Sequence, residues 1–336
     1  MSTNIREHAH RVYSVLEDHN SAGRSAIAAS WSRSFVQHGL DPEQAPTPTR
    51  LTEIEFRDIR QKCEAFVASA RETIDRLYQS VGSQGCCVVL SDANGVILDR
   101  RSNDNTEFPD LVPGAIWSEA VAGTNGVGTS LCEGRALTIH KEQHFLARHI
   151  DLSCTAAPIR DESGRIMGAL DVSIARNLFS KDKPKLLVNA ICDAAQRIET
   201  RRFRDAFCRS RIIVLPDQGQ APGGMIAVDR YDLVIGANYA ARRTYDITDR
   251  DLANPFPADK LLAPDQSGMD DLDSAEYGTL QRAIFRAGGN VSLAAQSLGI
   301  SRQTLHRKLA RFKSMHAEIP GRLNRDNMVT NRSHIV

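Results

Sequence analysis

Asn290-Val-Ser-Leu-Ala-Ala-Gln-Ser-Leu-Gly-Ile-Ser-Arg-Gln-Thr-Leu-His-Arg-Lys-Leu-Ala-Arg-Phe312 divides into two short helices joined by a glycine turn. Asn290 is a good N-cap for a helix over Val291–Leu298, because its side-chain oxygen can accept from the first free amides. Ala294 and Ala295 are small enough for a second helix to approach closely. Leu298-Gly299-Ile300 reads as the turn, glycine supplying the left-handed backbone that other residues resist. Ser301 then caps a helix running to about Phe312. Leu305, Leu309 and Phe312, spaced i, i+4 and i+7, make its inward face. Arg302, Gln303, His306 and Arg307 point outward, with Lys308 and Arg311 at the flanks. Upstream, Glu276 to Ala287 forms a first helix carrying Leu280, Ile284 and Ala287, ended by Gly288-Gly289. A helix presenting Arg and Gln to the major groove can pair Arg with guanine and Gln with adenine. The bland alternative is a basic helical hairpin that contacts protein.

Charge along the rest of the chain favours the nucleic-acid reading. Residues 275–336 hold ten Lys or Arg against three Asp or Glu, a surplus of seven. The chain total is only +1, so the other 274 residues carry minus six. A basic end on an acidic body is the footprint expected of a domain that meets phosphates. With 336 residues, two or three domains are expected. Hydrophobic residues at 41% and charged residues at 25% fit globular protein. No run approaches the roughly 18 apolar residues of a membrane helix. The first twenty residues mix acids, bases and histidines, unlike a secretory signal. These features set the expectation of a cytoplasmic protein with no membrane partner. The seven cysteines (Cys63, Cys86, Cys87, Cys132, Cys154, Cys192, Cys208) are an odd set without C-x-x-C spacing. That pattern disfavours a zinc site or a disulfide framework and favours reduced, packed thiols.

Working outward, residues 1–81 read as a helical region. Helix over 5–38 is followed by Gly39-Leu40-Asp41-Pro42 and a loop through Pro48. A second helical stretch over Thr52–Val81 carries Ile59, Phe66, Ala70, Ile74 and Leu77 at helical spacing. Residues 82–176 change to short strands and turns. Cys86–Leu90 and Val96–Leu98 flank Asp92-Ala93-Asn94-Gly95, a hairpin with Asn-Gly at its turn. Ala156–Ile159 and Ile166–Ile174 flank Asp161-Glu162-Ser163-Gly164 in the same manner. The fold class expected is α+β, an antiparallel sheet with helices on one side and an all-α C-terminal module. Residues 177–210 read as a connecting helix, with Leu187, Ile191, Ala194 and Ile198 on one apolar face. That face either docks on its own domain or pairs with a second subunit. Residues 211–250 hold one more hairpin and helix, 251–274 a Pro/Asp-rich linker, 275–313 the helical module and 314–336 a basic tail.

The segment from Asn290 closely resembles the C-terminal helix-turn-helix of Fis and of enhancer-dependent activators. The resemblance implies that Asn290 and Ser292 touch backbone phosphates, and that Ser301, Arg302, Thr304, His306, Arg307 and Lys308 lie at the groove. His306 departs from the pattern, which has a basic residue there. Trp117-Ser-Glu-Ala-Val-Ala-Gly-Thr-Asn-Gly-Val-Gly-Thr129 resembles the GAF sensor domain of acetoin-catabolism-type regulators. So do His144-Phe145, Cys154–Ile159, Ser30-Trp31-Ser32-Arg33-Ser34 and Gly39–Pro42. The likeness covers about residues 25–175 and resumes at 224–246 as the opening of a PAS-like unit. Related activators place an AAA+ ATPase between sensor and helix-turn-helix, where this chain has only a short linker. Gly123–Thr129 is no phosphate loop, since Gly128-Thr129-Ser130 lacks the lysine that reaches the phosphates. Such a chain acts by where it binds, by whom it recruits, or by competing with full-length relatives.

For the sensor half, Trp117, Asn125, Thr129 and His144 are the candidate pocket for a small organic effector, combining a glycine-rich loop with aromatic and polar groups. His140, His144, His149 and Cys154 raise a metal alternative that the irregular surroundings disfavour. A second class of function is a thiol enzyme on the GAF fold, like free-methionine sulfoxide reductases, using Cys86, Cys87, Cys132 or Cys154. Those thiols lack the cluster of Lys or Arg that lowers a thiol pKa, and a reductase has no use for the basic module. A third is an architectural DNA-bending protein. The reading adopted is a homodimeric, effector-responsive regulator that is not an enzyme and needs no metal or cofactor. Its partners are double-stranded DNA, a small effector, a second copy, and RNA polymerase or a full-length regulator.

Overall fold

The computed structural model describes residues 2–18, 23, 25–43, 49–81, 85–103, 108–175, 184–216, 223–262 and 271–317. The basic tail beyond 317 and the side chain of Phe312 lie outside the described residues, as do 263–270 of the expected linker. Two compact units divide the chain, 1–262 and 263–336.

The first unit is built on a five-stranded antiparallel sheet. Its strands are β1 (Cys86–Asp92), β2 (Ile97–Arg101), β3 (Leu137–His140), β4 (Leu152–Arg160) and β5 (Ile166–Ala175), in the order β2-β1-β5-β4-β3. Both expected hairpins are present. Asp92 and Asp161 close their turns by accepting from amides two and four residues on, and Gly95 and Gly164 take positive φ. β3 has no counterpart in the sequence reading, being only four residues of alternating burial.

Helices precede the sheet: α1 (Ser2–Glu17), α2 (Ala26–Ser32) running into a π-helical turn Arg33–Gln37, α3 (Glu53–Lys62) and α4 (Glu64–Val81). The single stretch expected over 52–81 is thus two helices breaking at Cys63. Thr52 starts the first through a reciprocal capping box with Glu55. Within the sensor loops lie α5 (Glu119–Ala122) and α6 (Gly126–Glu133), and after β5 comes α7 (Pro184–Ala206).

One face of the sheet is covered by α4 and α7. Phe66, Val67, Ala70, Ile74 and Leu77 meet Leu187, Ile191, Ala194 and Ile198 over Val88, Leu90, Leu170 and Val172. The apolar face of the connecting helix therefore docks on its own domain and is not free to pair with a second subunit. On the other face, Cys87, Val89, Ile97 and Ala169 pack under Phe108, Leu111, Trp117 and Val127. This face is roofed by loops and short helices.

A smaller three-stranded sheet follows: β6 (Arg211–Val214), β7 (Met225–Val228) and β8 (Val234–Ala237), with α8 (Tyr239–Tyr245), α9 (Asp249–Ala253) and α10 (Asp259–Leu262). Ile247, Phe256, Ala258 and Leu261 pack into its core, and Val234 N–H donates to the Phe256 carbonyl. The stretch read as linker from 251 is thus structured through 262. Asp259 opens the last of these short helices, and Pro257 bridges to Leu233 of the hairpin.

Candidate sensor core and DNA interface

The C-terminal unit contains α11 (Asp271–Arg286), α12 (Val291–Ser297) and α13 (Arg302–Ala317). Asn290 accepts from the amides of Ser292 and Leu293, and Ser301 accepts from Thr304 N–H at 3.0 Å. Gly299 turns at φ +65°. Leu280, Ala283, Ala294, Ala295 and Leu305 form the core, with Leu309 at its edge. Ser292, Arg302, Gln303, His306, Arg307 and Arg311 are exposed, and Thr304 is half-buried. Two candidates have local duties as well: Asn290 caps α12, and Lys308 is half-buried in an ion pair with Glu276 of α11.

In the sensor half, Ser30 and Arg33 fasten the N-terminal helices to the loops above the sheet. Ser30 Oγ donates to Glu119 Oε1 at 2.5 Å and lies 2.6 Å from Thr124 Oγ1. Arg33 donates to Glu119 from Nε at 2.8 Å and from Nη2 at 3.0 Å, and reaches Glu133 at 2.9 Å. Trp31 Nε1 donates to the Gln143 carbonyl, and His8 Nε2 is 3.1 Å from the Phe145 carbonyl. Residues read as a separate helical region thus form one wall of the sensor.

The four candidate pocket residues fall into two groups, Asn125 bonded to Thr129, and Trp117 and His144 on either side of the His149 ring. Asn125 caps α6 through Gly128 N–H and donates to the Gly123 carbonyl. Thr129 takes the Asn125 amide and lies 3.3 Å from Ser30 Oγ. Trp117 donates to the Asp110 carbonyl and stacks on His149 with ring centroids 4.7 Å apart. His144 is fully buried, with Nδ1 2.9 Å from the Lys141 carbonyl and Nε2 3.3 Å from Cys154 Sγ. Beside Trp117 and His149 the structure leaves a cavity of about 20 Å³, room for about one water.

Sequence reasoning missed the most unusual residue of this core. Asp171 lies in the middle of β5, the central strand, and is 1% exposed. Its Oδ2 accepts from Ser173 Oγ at 2.7 Å, while Oδ1 has no partner. Burial pushes its carboxyl up to about 7, the Ser173 hydroxyl offsetting part of the rise. The signal was legible: an acid interrupts the apolar run Ile166-Met-Gly-Ala-Leu-Asp-Val-Ser-Ile-Ala175. Burial also pushes the Cys87 thiol up to about 12 and Cys154 well above its usual range, the reverse of an activated thiol. Among the described residues no three His, Cys, Asp or Glu gather as a metal set.

A chain of contacts leads from this core toward the small sheet. Gly134, the left-handed C-cap of α6, accepts from Arg160 Nη2 at 2.6 Å. The same guanidinium lies 3.8 Å over the Tyr239 ring. Arg160 N–H donates to Glu199 on α7 at 2.7 Å, and burial raises the Glu199 carboxyl to about 7. A carboxyl whose pKa rises on folding favours the folded state below its ordinary value of 4.5, and that advantage is lost as pH climbs to about 7. Parent protein should therefore lose roughly 1–2 kcal/mol relative to Glu199→Gln between pH 5 and 7.5. Denaturant melts of both proteins across that range check it; parallel curves would contradict the assignment.

Residues 5–200 match the family described as MimR, N-terminal domain, and residues 272–312 match Bacterial regulatory protein, Fis family. The acetoin catabolism regulatory protein of Cupriavidus necator is 36% identical over 64% of this chain and 34% of its own length. The propane 2-monooxygenase operon transcriptional activator MimR of Mycolicibacterium smegmatis is 29% identical over 67% of this chain and 38% of its own. A chain of the Escherichia coli DhaR(N)–DhaL complex aligns at 18% identity and a TM-score of 0.47, covering 66% of this chain and 76% of that one. The chain spans little more than a third of the length of these curated relatives.

Proposed function

We propose, from the premise that the chain belongs to the MimR N-terminal-domain family, that it is a DNA-binding transcription regulator governed by a small organic effector. The observation that carries this reading is the capped Fis-type module, whose exposed Arg302, Gln303, His306 and Arg307 stand on one helix. The relatives' names tie them to acetoin catabolism and to a propane 2-monooxygenase operon, so a small metabolite is the natural effector. The effector site lies on the loop-covered face of the sheet, with Trp117 and His144 at its centre and Asn125 and Thr129 shaping the wall. Arg160, touching both Gly134 and Tyr239, is the route by which a shift of α6 reaches the small sheet.

The regulator acts as a homodimer on paired half-sites about one helical turn apart. With the apolar face of α7 already covered, pairing falls to α11, whose Leu272 is 82% exposed. Such a protein works in the cytoplasm, and no helix among the described residues is long and apolar enough to cross a membrane. No Walker A sequence occurs in the 336 residues, so regulation proceeds through recruitment of polymerase or competition with a longer regulator.

The test is direct. Purified protein mixed with fragmented genomic DNA should enrich a small set of paired sites, sediment at about twice 37.0 kDa, and hydrolyse no ATP above background. Uniform DNA retention without preferred sites would favour an architectural protein instead, and ATP turnover abolished by substitution within Gly123–Thr129 would overturn the account of that loop.

A further inference from the structure

The small sheet leaves one edge open. β6 pairs with β7 on one side, and no described residue pairs with it on the other. The ladder decides which of its groups face outward. Leu215 N–H donates to the Gly224 carbonyl at 2.8 Å and so turns toward β7, as do Ile213 and Arg211 by alternation. The N–H and C=O groups of Ile212 and Val214 then point away from the sheet, with no backbone partner among the described residues. Val214 is 61% exposed, an apolar side chain on an edge of the kind that proteins usually blunt with charge. Other edges are covered in that way. Ile97 of β2 exchanges bonds with Gly114 and Ala115, and the strand ends in Asp99, Arg100 and Arg101. Beside β8, Leu233 bridges to Pro257, and Val234 N–H meets the Phe256 carbonyl.

The open edge is bounded at both ends, which limits what fits it. Pro216, the next outward position after Val214, has no N–H, and its carbonyl already accepts from the Tyr245 hydroxyl. Ser210, the outward position before Ile212, spends its N–H on the Phe207 carbonyl at 2.9 Å. An unrelated strand running past either end would leave a carbonyl of its own unpaired there. A two-fold axis through Ile213 avoids that. It sets Ile212 against Val214 of a second copy, and Val214 against its Ile212, each pair exchanging two hydrogen bonds. It also sets Ser210 against Pro216 of the second copy, so the positions that cannot donate face each other. Ile212 and the opposed Val214 form an apolar β-branched pair, of the kind that stabilises antiparallel strands. Arg211 adds no free charge to the seam, being paired with Asp232.

We propose that β6 pairs antiparallel with β6 of a second copy about an axis through Ile213, joining the two small sheets into one continuous sheet. This is a contact between sensor halves, separate from pairing through α11, and it rests on the reading of the chain as a paired regulator. Two bonded residues a side fall far short of the roughly 1,200 Å² that a stable interface buries. The seam therefore closes between chains that their DNA-binding modules have already brought together, at an effective concentration on the order of millimolar. Its effect is to favour paired half-sites over single ones.

Cysteine pairing across the axis tests the register in the full chain, with the exposed Cys132 and Cys208 replaced by Ser. The protein is oxidised mildly both on paired sites enriched from genomic DNA and free at about millimolar concentration. Opposed residues at a non-hydrogen-bonded position stand about 4.5 Å apart at Cα, within disulfide reach. Ile213→Cys should therefore link into a symmetric dimer of about twice 37.0 kDa. Val214→Cys, one residue away, faces Ile212 of the partner and should link about tenfold more slowly. Adding Val214→Pro to Ile213→Cys removes an outward donor without touching the β7 ladder, and should lower the linked yield about tenfold. A melting temperature near the parent's shows that this variant folds, and Val214→Lys, which keeps the donor and charges the edge, repeats the test. Equal linking of Ile213→Cys and Val214→Cys, or a yield that neither Val214→Pro nor Val214→Lys lowers, overturns the pairing. A dimer by sedimentation in which Ile213→Cys stays unlinked also overturns it and leaves pairing through α11 standing. Monomeric sedimentation with no link in either arm overturns the seam and the dimer together. Linking to added RNA polymerase in place of a second copy overturns the occupant.

Discussion

Arg33→Ala should melt the sensor half far below the parent, by about 3–5 kcal/mol, because it strands a buried charge. Glu119 is 5% exposed, and its carboxylate takes two hydrogen bonds from Arg33 and one from Ser30. Removing the guanidinium leaves a carboxylate in low dielectric with only the Ser30 hydroxyl and the Cys132 thiol beside it, and Glu133 loses its 2.9 Å partner too. Against a typical total stability of roughly 5–15 kcal/mol, a loss of that size is a large fraction. The double variant Arg33→Met with Glu119→Gln removes both charges and should recover much of the loss, since the deficit is an unpaired charge rather than missing volume. Calorimetry of the three proteins checks this. A melting temperature for Arg33→Ala within two or three degrees of the parent would mean that the N-terminal helices rest on the sensor without being fastened to it.

That latch also explains what could and could not be read in advance. Local signals survived translation into structure: Asn290 and Ser301 as caps, Gly299 as the turn, and Asp-x-Asn-Gly as a hairpin. Each depends on neighbours within four residues. The helices of residues 1–81 were legible as helices but not as a wall of the sensor, because Ser30, Arg33 and Glu119 meet across about ninety residues and leave no periodic trace. Ile191 and Ile198 present the same difficulty in another form. A stripe at steps of three and four says that a helix buries one face, yet is silent on what covers it, and here the cover is the sheet of the same chain. An Ile191→Asp change therefore perturbs folding before it can report on dimerisation. The loop-covered face of the sheet was half legible. Trp117, Asn125, Thr129 and His144 are all buried there, and Asn125 and Thr129 also serve the first turn of α6, a use that capping residues beside glycines often have. Asp171 was passed over because a strand reading looks for apolar residues and treats the exception as noise.

The second large effect belongs to the recognition helix. Arg302 and Arg307 are exposed, lie on the outer side of α13, and make no ion pair among the described residues. Each should contribute roughly 1–3 kcal/mol if it reads a base, so Arg302→Ala with Arg307→Ala should lower affinity for a preferred site at least about thirtyfold. Lys308 makes the informative contrast. It carries the same charge one residue further on, but its ammonium is half-buried against Glu276, where it helps hold α13 to α11. Freeing it for a phosphate would break that pair, so Lys308→Ala should cost fold stability first and affinity second. Salt titrations separate the cases: a base-reading arginine weakens binding to the preferred site over random DNA, whereas a phosphate contact lowers both and flattens the salt slope by about one unit. If Lys308→Ala collapses site preference while the arginine variants keep it, the groove-facing side of α13 has been assigned to the wrong residues, and the helix must be rotated about its axis on the DNA.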